Sequence, residues 1–373
     1  MAHQRKANSY ASYLTGKQLG YGEGVRDGHH FGKAAVMKQL IEQQQVPHVW
    51  NKRVLFVTTG KHYPYSPLDQ AITQALQKMT VQLQVAPPTA DILPLVNQMM
   101  PDLVLVLEGM GFPLSMVHQI REKGIQTAIW LTDDPYYTDI TGRLARYYTH
   151  VFTLELSCLD FYRQLGCPSV HYLPLGVNPS VFMPKPVDGR QRWEASFIGS
   201  GYWNRIHFFN KVLPQLSKRK LVISGWWWDR LKRYKRYRSR IRLGTWMGPE
   251  QTASFYSGSQ IVINLHRSPD DESYNLNGRK IPALSVNPRT FEIAACAAFQ
   301  LSDERADLAS LYVPGEEMVT YSSPEDFLAK VDHYLRHPEE RSRIALRAMQ
   351  RTLRDHTYEA RLQRMFEIVF PEG

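Results

Sequence analysis

A chain of 373 residues, of which 43% are hydrophobic and 21% charged, is long enough for two α/β domains and too apolar to be disordered. No stretch approaches the ~18 consecutive apolar residues of a membrane helix, the first residues lack a secretory signal, and the three cysteines form neither a disulfide framework nor a metal-binding pattern. We therefore expect a cytoplasmic protein without a metal site. The net charge of +10 favours anionic partners, such as nucleotide diphosphates, acidic polymers, nucleic acid or a membrane surface.

Residues 1–50 are distinguished by glycines that recur every four residues, at Gly16, Gly20, Gly24, Gly28 and Gly32. In a helix this spacing places them along a slowly winding stripe on one face, and each costs up to ~1 kcal/mol relative to alanine. Such a stripe makes sense only if another backbone packs very close to it, so we predict a helical segment with a tightly packed glycine face. The alternative, a phosphate loop at residues 20–24, lacks the preceding strand that a dinucleotide-binding motif requires.

From residue 51 to residue 178, short apolar runs alternate with segments of helical spacing. The predicted strands are residues 53–59, 80–85, 103–107, 127–131, 150–156 and 170–174. The predicted helices between them are residues 69–79, 91–100, 112–123 and 159–165. This alternation predicts a first domain built on a parallel, doubly wound sheet, which ends in a linker rich in proline and glycine.

The alternation restarts in residues 179–373, which we predict to be a second domain of the same kind. Its predicted strands are residues 195–199, 221–225, 261–264, 299–301 and 318–321. Its predicted helices are residues 205–216, 251–257, 290–297 and 324–337, and a last helix from residue 339 to the end, which could cross back to the first domain. Ligands of open α/β sheets bind at the carboxyl ends of the strands, so two such edges are expected to face each other across a cleft.

The first candidate for ligand binding is the turn that follows strand 195–199. Gly199 and Ser200 precede a helix that carries Asn204 and Arg205. A glycine turn at a helix start offers free backbone N–H groups to a phosphate, and a guanidinium adds a fork of donors. An ordinary strand-to-helix turn is the alternative.

A second candidate begins at Asn287 and Pro288, which suit the cap and the first turn of a helix. Arg289 then lies at a helix start, where the helix dipole disfavours a cation, so its position points to a bound anion. Glu292 is an acid on an otherwise apolar helix and needs polar partners, which the two hydroxyls of a ribose would provide. A salt bridge between Glu292 and Arg289 is the alternative.

His266 and Arg267 follow strand 261–264 and are expected to face the same cleft. Together with Arg205 and Arg289 they predict a cationic site for a pyrophosphate. The polar tract 268–285 that comes next has the composition of a mobile loop that closes over a substrate.

The first domain offers three candidates for acid–base chemistry. Glu108 and Asp133 each follow a buried strand, and His62 follows the first strand after Gly60. Each could hold an acceptor hydroxyl or act as a base, although acids at strand ends often serve only as helix caps.

Residues 230–242 contain eight lysines and arginines and no acid, directly after the run Trp226-Trp227-Trp228 and Asp229. The segment is either the solvated face of a helix or a patch that contacts a membrane or a polyanion.

Several of these segments resemble the CgeB-like glycosyltransferases, which are named after a spore maturation protein. The resemblance is most specific at residues 287–296 (NPRTFEIAAC), 299–303 (FQLSD) and 313–317 (VPGEE), and extends to residues 197–205 and 356–361. Residues 173–179 are similar to the interdomain linker of GT-B enzymes. The resemblance implies an α/β protein of the GT-B fold, with two Rossmann-like domains facing a cleft, the donor nucleotide in the C-terminal domain and the acceptor in the N-terminal one.

The resemblance also implies roles for single residues. Glu292 corresponds to the ribose-binding second Glu of the E-x7-E motif of retaining GT-B enzymes, but the first Glu of that motif is replaced by Leu284. Trp246 and Met247 lie where such enzymes place the nucleobase. GT-B enzymes generally need no metal, because basic residues neutralise the leaving diphosphate.

The expected activity is transfer of a hexosyl unit from a UDP-sugar to an unidentified acceptor, such as a cell-envelope or spore-surface glycan or protein, without a cofactor. Two alternatives stay open. One is an inactive nucleotide- or sugar-binding protein, which the missing Glu at Leu284 favours. The other is a nucleic-acid-binding module built on residues 230–242, which is the less favoured partner.

Overall fold

The computed structural model describes residues 2–45, 48–271 and 275–371, and only the backbone of residues 2–13 and residue 19. Its helices are α1 (Ala2–Gln44), α2 (Ser66–Met79), α3 (Leu93–Met99), α4 (Leu114–Glu122), α5 (Thr138–Leu144), α6 (Cys158–Gln164), α7 (Trp203–Leu216), α8 (Tyr234–Tyr237), α9 (Pro249–Ser257), α10 (Arg289–Ala295), α11 (Leu308–Leu311), α12 (Pro324–Arg336), α13 (Pro338–Asp355) and α14 (Tyr358–Val369). None of the helices in these ranges is long and apolar enough to cross a lipid bilayer.

The first sheet consists of six parallel strands. They are β1 (Trp50–Val57), β2 (Thr80–Ala86), β3 (Leu103–Leu107), β4 (Gln126–Leu131), β5 (His150–Thr153) and β6 (Val170–Tyr172). Their spatial order is β2-β1-β3-β4-β5-β6. The winding direction changes between β1 and β3, so a crevice for a ligand is expected at the carboxyl ends of these two strands.

The second sheet repeats this plan. Its strands are β7 (Trp193–Ile198), β8 (Leu221–Gly225), β9 (Ile241–Leu243), β10 (Ser259–Asn264), β11 (Gln300–Asp303) and β12 (Val319–Tyr321), all parallel. The order is β12-β11-β10-β7-β8-β9, so the winding direction changes between β7 and β10. The predicted class of two doubly wound α/β domains is therefore confirmed.

Both faces of the first sheet are covered, and β3 shows how. Leu103, Leu105 and Leu107 pack in one core cluster with α2, whereas Val104 and Val106 pack in another with α3 and α4. Successive side chains of a strand point to opposite faces, so a strand covered on both faces must be apolar at every position. This is why the continuous apolar run was recognisable in the sequence.

The predicted strands and helices are all present, with ends that differ by a few residues, and four short elements were missed, one of them α11 (Leu308–Leu311). The other three are α5, α8 and the edge strand β9, and none of the four has a clear period. The single helix predicted from residue 339 to the end is instead two helices. The break occurs at Thr357, whose hydroxyl accepts the N–H of Ala360 at 3.2 Å and so caps α14.

The last helix packs against the first sheet. Leu362, Met365 and Phe366 of α14 lie in the same core cluster as α2 and one face of β3. At the start of α14 the chain also pairs with the linker, because Val177 N–H donates to the carbonyl of His356 at 3.0 Å. A Cβ at Gly176 would lie 2.7 Å from the backbone nitrogen of Tyr358, so this close approach requires glycine.

The glycine stripe of α1 is exposed, and here the sequence-based prediction was wrong. The segment is helical as expected, but a Cβ built on Gly16, Gly20, Gly24, Gly28 or Gly32 would meet no atom within 4 Å. Helix α1 instead packs on α13 through another face, where Ala34 is buried. The alternative of a phosphate loop is also wrong, because residues 20–24 lie inside the helix.

The basic segment 230–242 does not form the solvated face of a single helix, which was one of the two alternatives drawn from the sequence. It contains the end of a 3₁₀ turn (Trp228–Arg230), α8, a second 3₁₀ turn (Arg238–Arg240) and the edge strand β9. Two tyrosines and Ile241 anchor it, since Tyr237 and Ile241 lie in the core of the second sheet and Tyr234 packs against that core. The cations between these anchors lie mostly on the surface.

Candidate active site

The second sheet carries a glycine turn at its winding switch. Gly199 follows β7 with a φ of +151°, a conformation that favours glycine. A Cβ at Gly199 would lie 3.1 Å from Nη1 of Arg205 and 3.2 Å from Nη2 of Arg289. Glycine therefore lets two guanidinium groups approach the turn, at the edge of the sheet where a ligand is expected.

Arg205 is almost fully buried and is held by main-chain carbonyls. Its Nε donates to Leu265 O and its Nη1 to Ser200 O, both at 3.0 Å. No carboxylate of the described residues lies within 4 Å of it, and its Nη2 makes no hydrogen bond to them. Burial lowers the pKa of Arg205 to about 9, and the neighbouring Arg289 lowers it further. A buried cation beside a second cation is costly without an anion.

Arg289 begins α10, beside the hydroxyl of Tyr256. Its Nη1 is buried and makes no hydrogen bond, and none of the side chains that the structure describes forms a salt bridge with it. Buried polar groups without partners are rare in folded proteins and often indicate a missing ligand. The two guanidinium groups at Gly199 thus form an anion site that the protein itself leaves open.

Glu292 lies one turn further along α10. Its carboxylate makes no hydrogen bond to any side chain or backbone group in the described ranges, and the alternative salt bridge with Arg289 is not formed. Burial raises the pKa of Glu292 to about 7, although Arg289 lowers it. The carboxylate is therefore available to hydrogen-bond donors of a ligand, such as ribose hydroxyls.

His266 supports the site rather than facing the ligand, which corrects its predicted role. Its Nδ1 donates to Asp303 at 2.5 Å, and its Nε2 accepts the backbone N–H of Asn287 at 2.9 Å. The Asn287 side chain is engaged as well, because its Oδ1 accepts the N–H of Thr290. Both side chains hold the start of α10, which carries Arg289. Burial alone would raise the pKa of Asp303, but His266 and Arg305 outweigh it and hold that pKa below the usual range.

Asn204 joins the same support, because its Nδ2 donates to the carbonyl of His266 at 2.8 Å. Its Oδ1 is buried and without a partner among the residues described.

Arg267 bridges the two domains. Its guanidinium lies 4.4 Å from the ring centre of Tyr136 in the first domain and 4.4 Å from that of Tyr202 in the second. Tyr136 also donates its hydroxyl to the carbonyl of Arg267 at 2.9 Å. Such cation–π contacts bring Arg267 into the cleft as predicted from its place after β10.

Trp246 and Met247 differ in what they can offer to a nucleobase. Met247 is buried in a small cluster with Val222 and Phe255, so the predicted contact of its side chain with a base is wrong. Trp246 is 50% exposed. It remains the only one of these two side chains that could stack on a ligand.

The first domain contributes two carboxylates at the carboxyl ends of neighbouring strands, β3 and β4. Glu108 follows β3 and is ion-paired to Lys61 at 2.6 Å, while Asp133 accepts the hydroxyl of Tyr65 at 2.7 Å. Burial raises the pKa of Glu108, and Lys61 lowers it. Burial also raises the pKa of Tyr202 in the second domain, and Arg267 and Arg205 lower it.

His62 and Asp134 lie beside these groups but are placed differently. The His62 side chain is exposed and makes no hydrogen bond to the described residues. Asp134 is fully buried and accepts hydroxyl hydrogen bonds from Thr141, Thr153 and Tyr162. Burial raises its pKa to about 6, although these hydroxyls lower it. Of the adjacent acids, Asp133 is half-buried and bound to Tyr65, whereas Asp134 is bound within the core.

Part of the polar tract 268–285 is docked on the first domain rather than free, while residues 272–274 lie outside the described ranges. Leu276 exchanges backbone hydrogen bonds with Tyr136 and Asp139, at 2.7 and 2.9 Å. The Asp139 carboxylate also accepts the N–H of Gly278 at 3.0 Å. The expected mobile loop is therefore, over this part, a bridge between the domains.

A second acid of the first domain binds the end of the same tract. Glu155 is 2% exposed, and its carboxylate accepts the N–H groups of Leu284 and Ser285, each at 3.1 Å. It also accepts the hydroxyl of Ser157. Sequence reasoning missed Glu155, although its place just after β5 is the same kind of signal that singled out Glu108 and Asp133.

Known proteins resemble this arrangement in sequence. The spore protein CgeB of Bacillus subtilis is 30% identical over 309 residues, which cover 82% of this chain and 95% of that protein. The chain belongs to the CgeB-like family. The CgeB-like chain also matches a family model described as glycosyl transferase-like over residues 205–367, a range that includes Arg205, Arg289 and Glu292. It is therefore a glycosyltransferase, as the sequence resemblance implied.

Solved structures show the fold of this CgeB-like glycosyltransferase. HepE of Anabaena in complex with UDP has a TM-score of 0.56 at 10% identity, over 84% of this chain and 98% of HepE. Sucrose-phosphate synthase from Thermosynechococcus elongatus has a TM-score of 0.54 at 11% identity, over 87% of this chain and 100% of that one. The predicted GT-B fold is confirmed.

Proposed function

We propose that this chain transfers a hexosyl unit from a UDP-sugar to an acceptor hydroxyl. The observation that carries the proposal is the pair of guanidinium groups at Gly199, which no carboxylate of the described residues neutralises. Two or more negative charges of a diphosphate would neutralise both cations and give Arg289 Nη1 the partner it lacks. Glu292 would accept the ribose hydroxyls. The complexes of HepE with UDP, with UDP and glucose, and with UDP-glucose support a uridine donor.

In the reaction, an acceptor oxygen forms a bond to the anomeric carbon of the sugar while the bond from that carbon to the diphosphate breaks. The acceptor proton passes to Asp133, for which Tyr65 fixes the orientation by its hydrogen bond. The charge left on UDP is stabilised by Arg205 and Arg289, which are positioned before the reaction starts. Glu108, held by Lys61, and the exposed His62 are further candidates to bind the acceptor.

Because guanidinium groups do the work that a metal ion would otherwise do, we propose that the transfer needs no metal or other cofactor. His333, His337 and Glu340 are grouped closely enough to hold an ion, but they lie at the surface where α12 meets α13 and are not among the proposed site residues. The spore-protein relative supports a spore-surface glycan or protein as acceptor, and a cell-envelope acceptor is the alternative. A cytoplasmic place of action stays a prediction of the sequence.

The test is calorimetric titration with UDP and a panel of nucleoside diphosphate sugars, followed by an assay for donor hydrolysis. We expect UDP to bind, and at least one UDP-sugar to be hydrolysed slowly without an acceptor. Binding without any turnover would instead favour the inactive nucleotide-binding protein that the Leu284 replacement suggests. Absence of any nucleotide binding would overturn the proposal itself.

Glu292→Gln should weaken UDP binding by ~1–3 kcal/mol, because a charged acceptor of ribose hydrogen bonds is lost. The carboxyl pKa of about 7 adds a pH signature. Ribose binding favours the carboxylate, so wild-type affinity should rise as the pH increases through 7 and then level off. Calorimetry between pH 6 and pH 8 should show that this rise is lost in Glu292→Gln, while any titration of the ligand phosphate persists. Equal affinity and pH dependence in the folded variant would exclude Glu292 as a ribose ligand.

The basic segment should serve an anionic partner other than the donor. Replacing Arg233, Lys235, Arg236 and Arg238 together by glutamine should leave UDP affinity within about a factor of 2, because charges on solvent-exposed side chains are screened. All four side chains are exposed. The same titration with UDP checks this, and a collapse of donor binding would mean that the segment lines the donor site.

A further inference from the structure

Three large apolar side chains are exposed where β8 and β9 end. Trp226 is 48% exposed, Leu243 is 41% exposed and Trp246 is 50% exposed. The strands bring them together, since Gly225 pairs with Leu243 and the N–H of Gly244 donates to Gly225 O at 3.0 Å. A Cβ at Gly244 would lie 3.7 Å from the Trp226 ring. Trp226 and Leu243 therefore lie at neighbouring strand ends, and with Trp246, which follows Gly244 closely along the chain, they give this edge of the second sheet an exposed apolar surface.

Exposed cations adjoin this apolar surface. They are Lys232, Arg233, Lys235, Arg236, Arg238 and Arg242. None of them has a carboxylate of the described residues within 4 Å, although the chain forms many surface ion pairs elsewhere. We call these six cations, with Trp226, Leu243 and Trp246, the rim patch. In the part of the chain that the structure describes, no ion pair neutralises these six cations.

We propose that the rim patch docks the protein on an anionic lipid surface. The docking itself is independent of the donor chemistry, and only its use in catalysis rests on the proposed function. Cations near an anionic bilayer are attracted to its surface potential, and indole rings favour the boundary between headgroups and acyl chains. Stable reversible binding usually combines such charge with apolar insertion, and the rim patch provides both.

The apolar side chains distinguish a lipid surface from a soluble polyanion. Six cations alone would bind an acidic polysaccharide or a nucleic acid equally well. Burying Leu243 and the outer half of Trp226, however, is favourable only in a medium that excludes water from them. Indoles could stack on bases or sugars, but Leu243 between them has no aromatic face to offer.

The rim patch is directly joined to the proposed donor site. The carbonyl of Trp226 accepts the N–H of Gly201 at 2.7 Å, and Trp228 Nε1 donates to Gly199 O at 2.9 Å. Both strands end at the same edge as the donor turn, so a bilayer that contacts the rim patch would lie beside the opening of the cleft. The acceptor class that fits this placement is a hydroxyl carried on, or held close to, a membrane lipid.

The experiment is sedimentation of the full chain with phosphatidylcholine vesicles, with and without phosphatidylglycerol. We expect binding to the anionic vesicles only, weakened by salt, with a blue shift of tryptophan emission. Trp226→Ser combined with Leu243→Ser should lower the vesicle affinity by at least ~10-fold, because the apolar part of a two-part anchor is lost. Binding of heparin, a soluble polyanion, should change little in this variant.

Tyr147→Ser combined with Val81→Ser is the matched control, because these side chains are exposed to a similar degree, 42% and 55%, in the first domain. It should bind vesicles like the wild type. If wild type ignores anionic vesicles at low salt, or if the Trp226 and Leu243 variant binds them unchanged, the lipid proposal is wrong, and unchanged binding would identify a general polyanion site. UDP titration of the same proteins without vesicles reports separately on the proposed function and on folding.

Discussion

Arg289→Ala should lower the turnover of the transferase by ~10²–10³, since this is the usual cost of removing one preorganised donor from a developing negative charge. Arg289 Nη1 is buried and has no hydrogen-bond partner among the described residues, and no described carboxylate pairs with the guanidinium, so its removal breaks no ion pair. Its removal should even relieve Arg205, whose pKa Arg289 lowers. The variant is therefore expected to fold normally while it loses rate. Steady-state kinetics together with a thermal unfolding scan would separate these two effects.

Arg289→Lys and Arg236→Ala are the controls for this prediction. Lysine keeps the charge but cannot make a bidentate contact, so it should restore the rate only in part. Arg236 is an exposed cation of the rim patch, and its removal should not change turnover with a soluble acceptor. Activity should also survive excess EDTA. Strict dependence on added Mg²⁺ or Mn²⁺ would contradict the metal-free mechanism.

Asp133→Asn should lower turnover by ~10²–10⁴, the contribution typical of a general base, while UDP affinity stays the same. The carboxylate of Asp133 is half-buried and is oriented by the hydroxyl of Tyr65. Asparagine fills the same volume and can still accept from Tyr65, so only the ability to take a proton is lost. Single-turnover rates and calorimetry on one protein sample would measure both quantities.

Asp134→Asn is the matched control, because it changes the adjacent acid in the same way. Asp134 is bonded to three buried hydroxyl groups, so the change should lower the free energy of unfolding rather than the rate per folded molecule. If Asp133→Asn keeps full activity and Glu108→Gln loses it, the base is Glu108 and the assignment of Asp133 is wrong.

The fold was largely predictable because buried parallel strands leave a local signature. The run at residues 103–107 is apolar at every position, since both faces of β3 are covered. The edge strand β9 has no such signature. Only Ile241 of its three residues is buried, so its sequence reads as part of a basic surface segment. A strand such as β9, which is identified only by its pairing with the neighbouring strand, cannot be predicted from its own residues.

The cationic residues of the candidate site were predictable from the sequence, whereas the residues that hold them in place were less so. Arg205 and Arg289 stood out because a charge near a turn or a helix start needs an explanation. His266 stood out for the same reason, yet both of its nitrogens are used by Asp303 and Asn287. Sequence position places a side chain at the correct edge of a sheet, but only coordinates show whether its polar atoms face a ligand or the protein.

The glycines of α1 show the limit of reasoning from a spacing. Five glycines at every fourth residue predicted a neighbouring backbone, and the structure places no described atom within 4 Å of the added Cβ positions. The face that packs is defined by Ala34 and by Met37 and Ile41 beside it. The structure gives no physical account of the glycine spacing.

The contacts of residues 276–285 with the first domain bear on how this enzyme could be diversified. Glu155 and Asp139 hold main-chain N–H groups of the other domain, and α14 completes the core under the first sheet. The first domain therefore supplies hydrogen-bond acceptors to the second, and the second supplies apolar side chains to the core of the first. Recombination that joins one half to the opposite half of a distant relative would leave buried carboxylates and amide groups unmatched. New acceptor specificity should therefore be easier to reach by changing cleft residues one at a time than by exchanging whole domains.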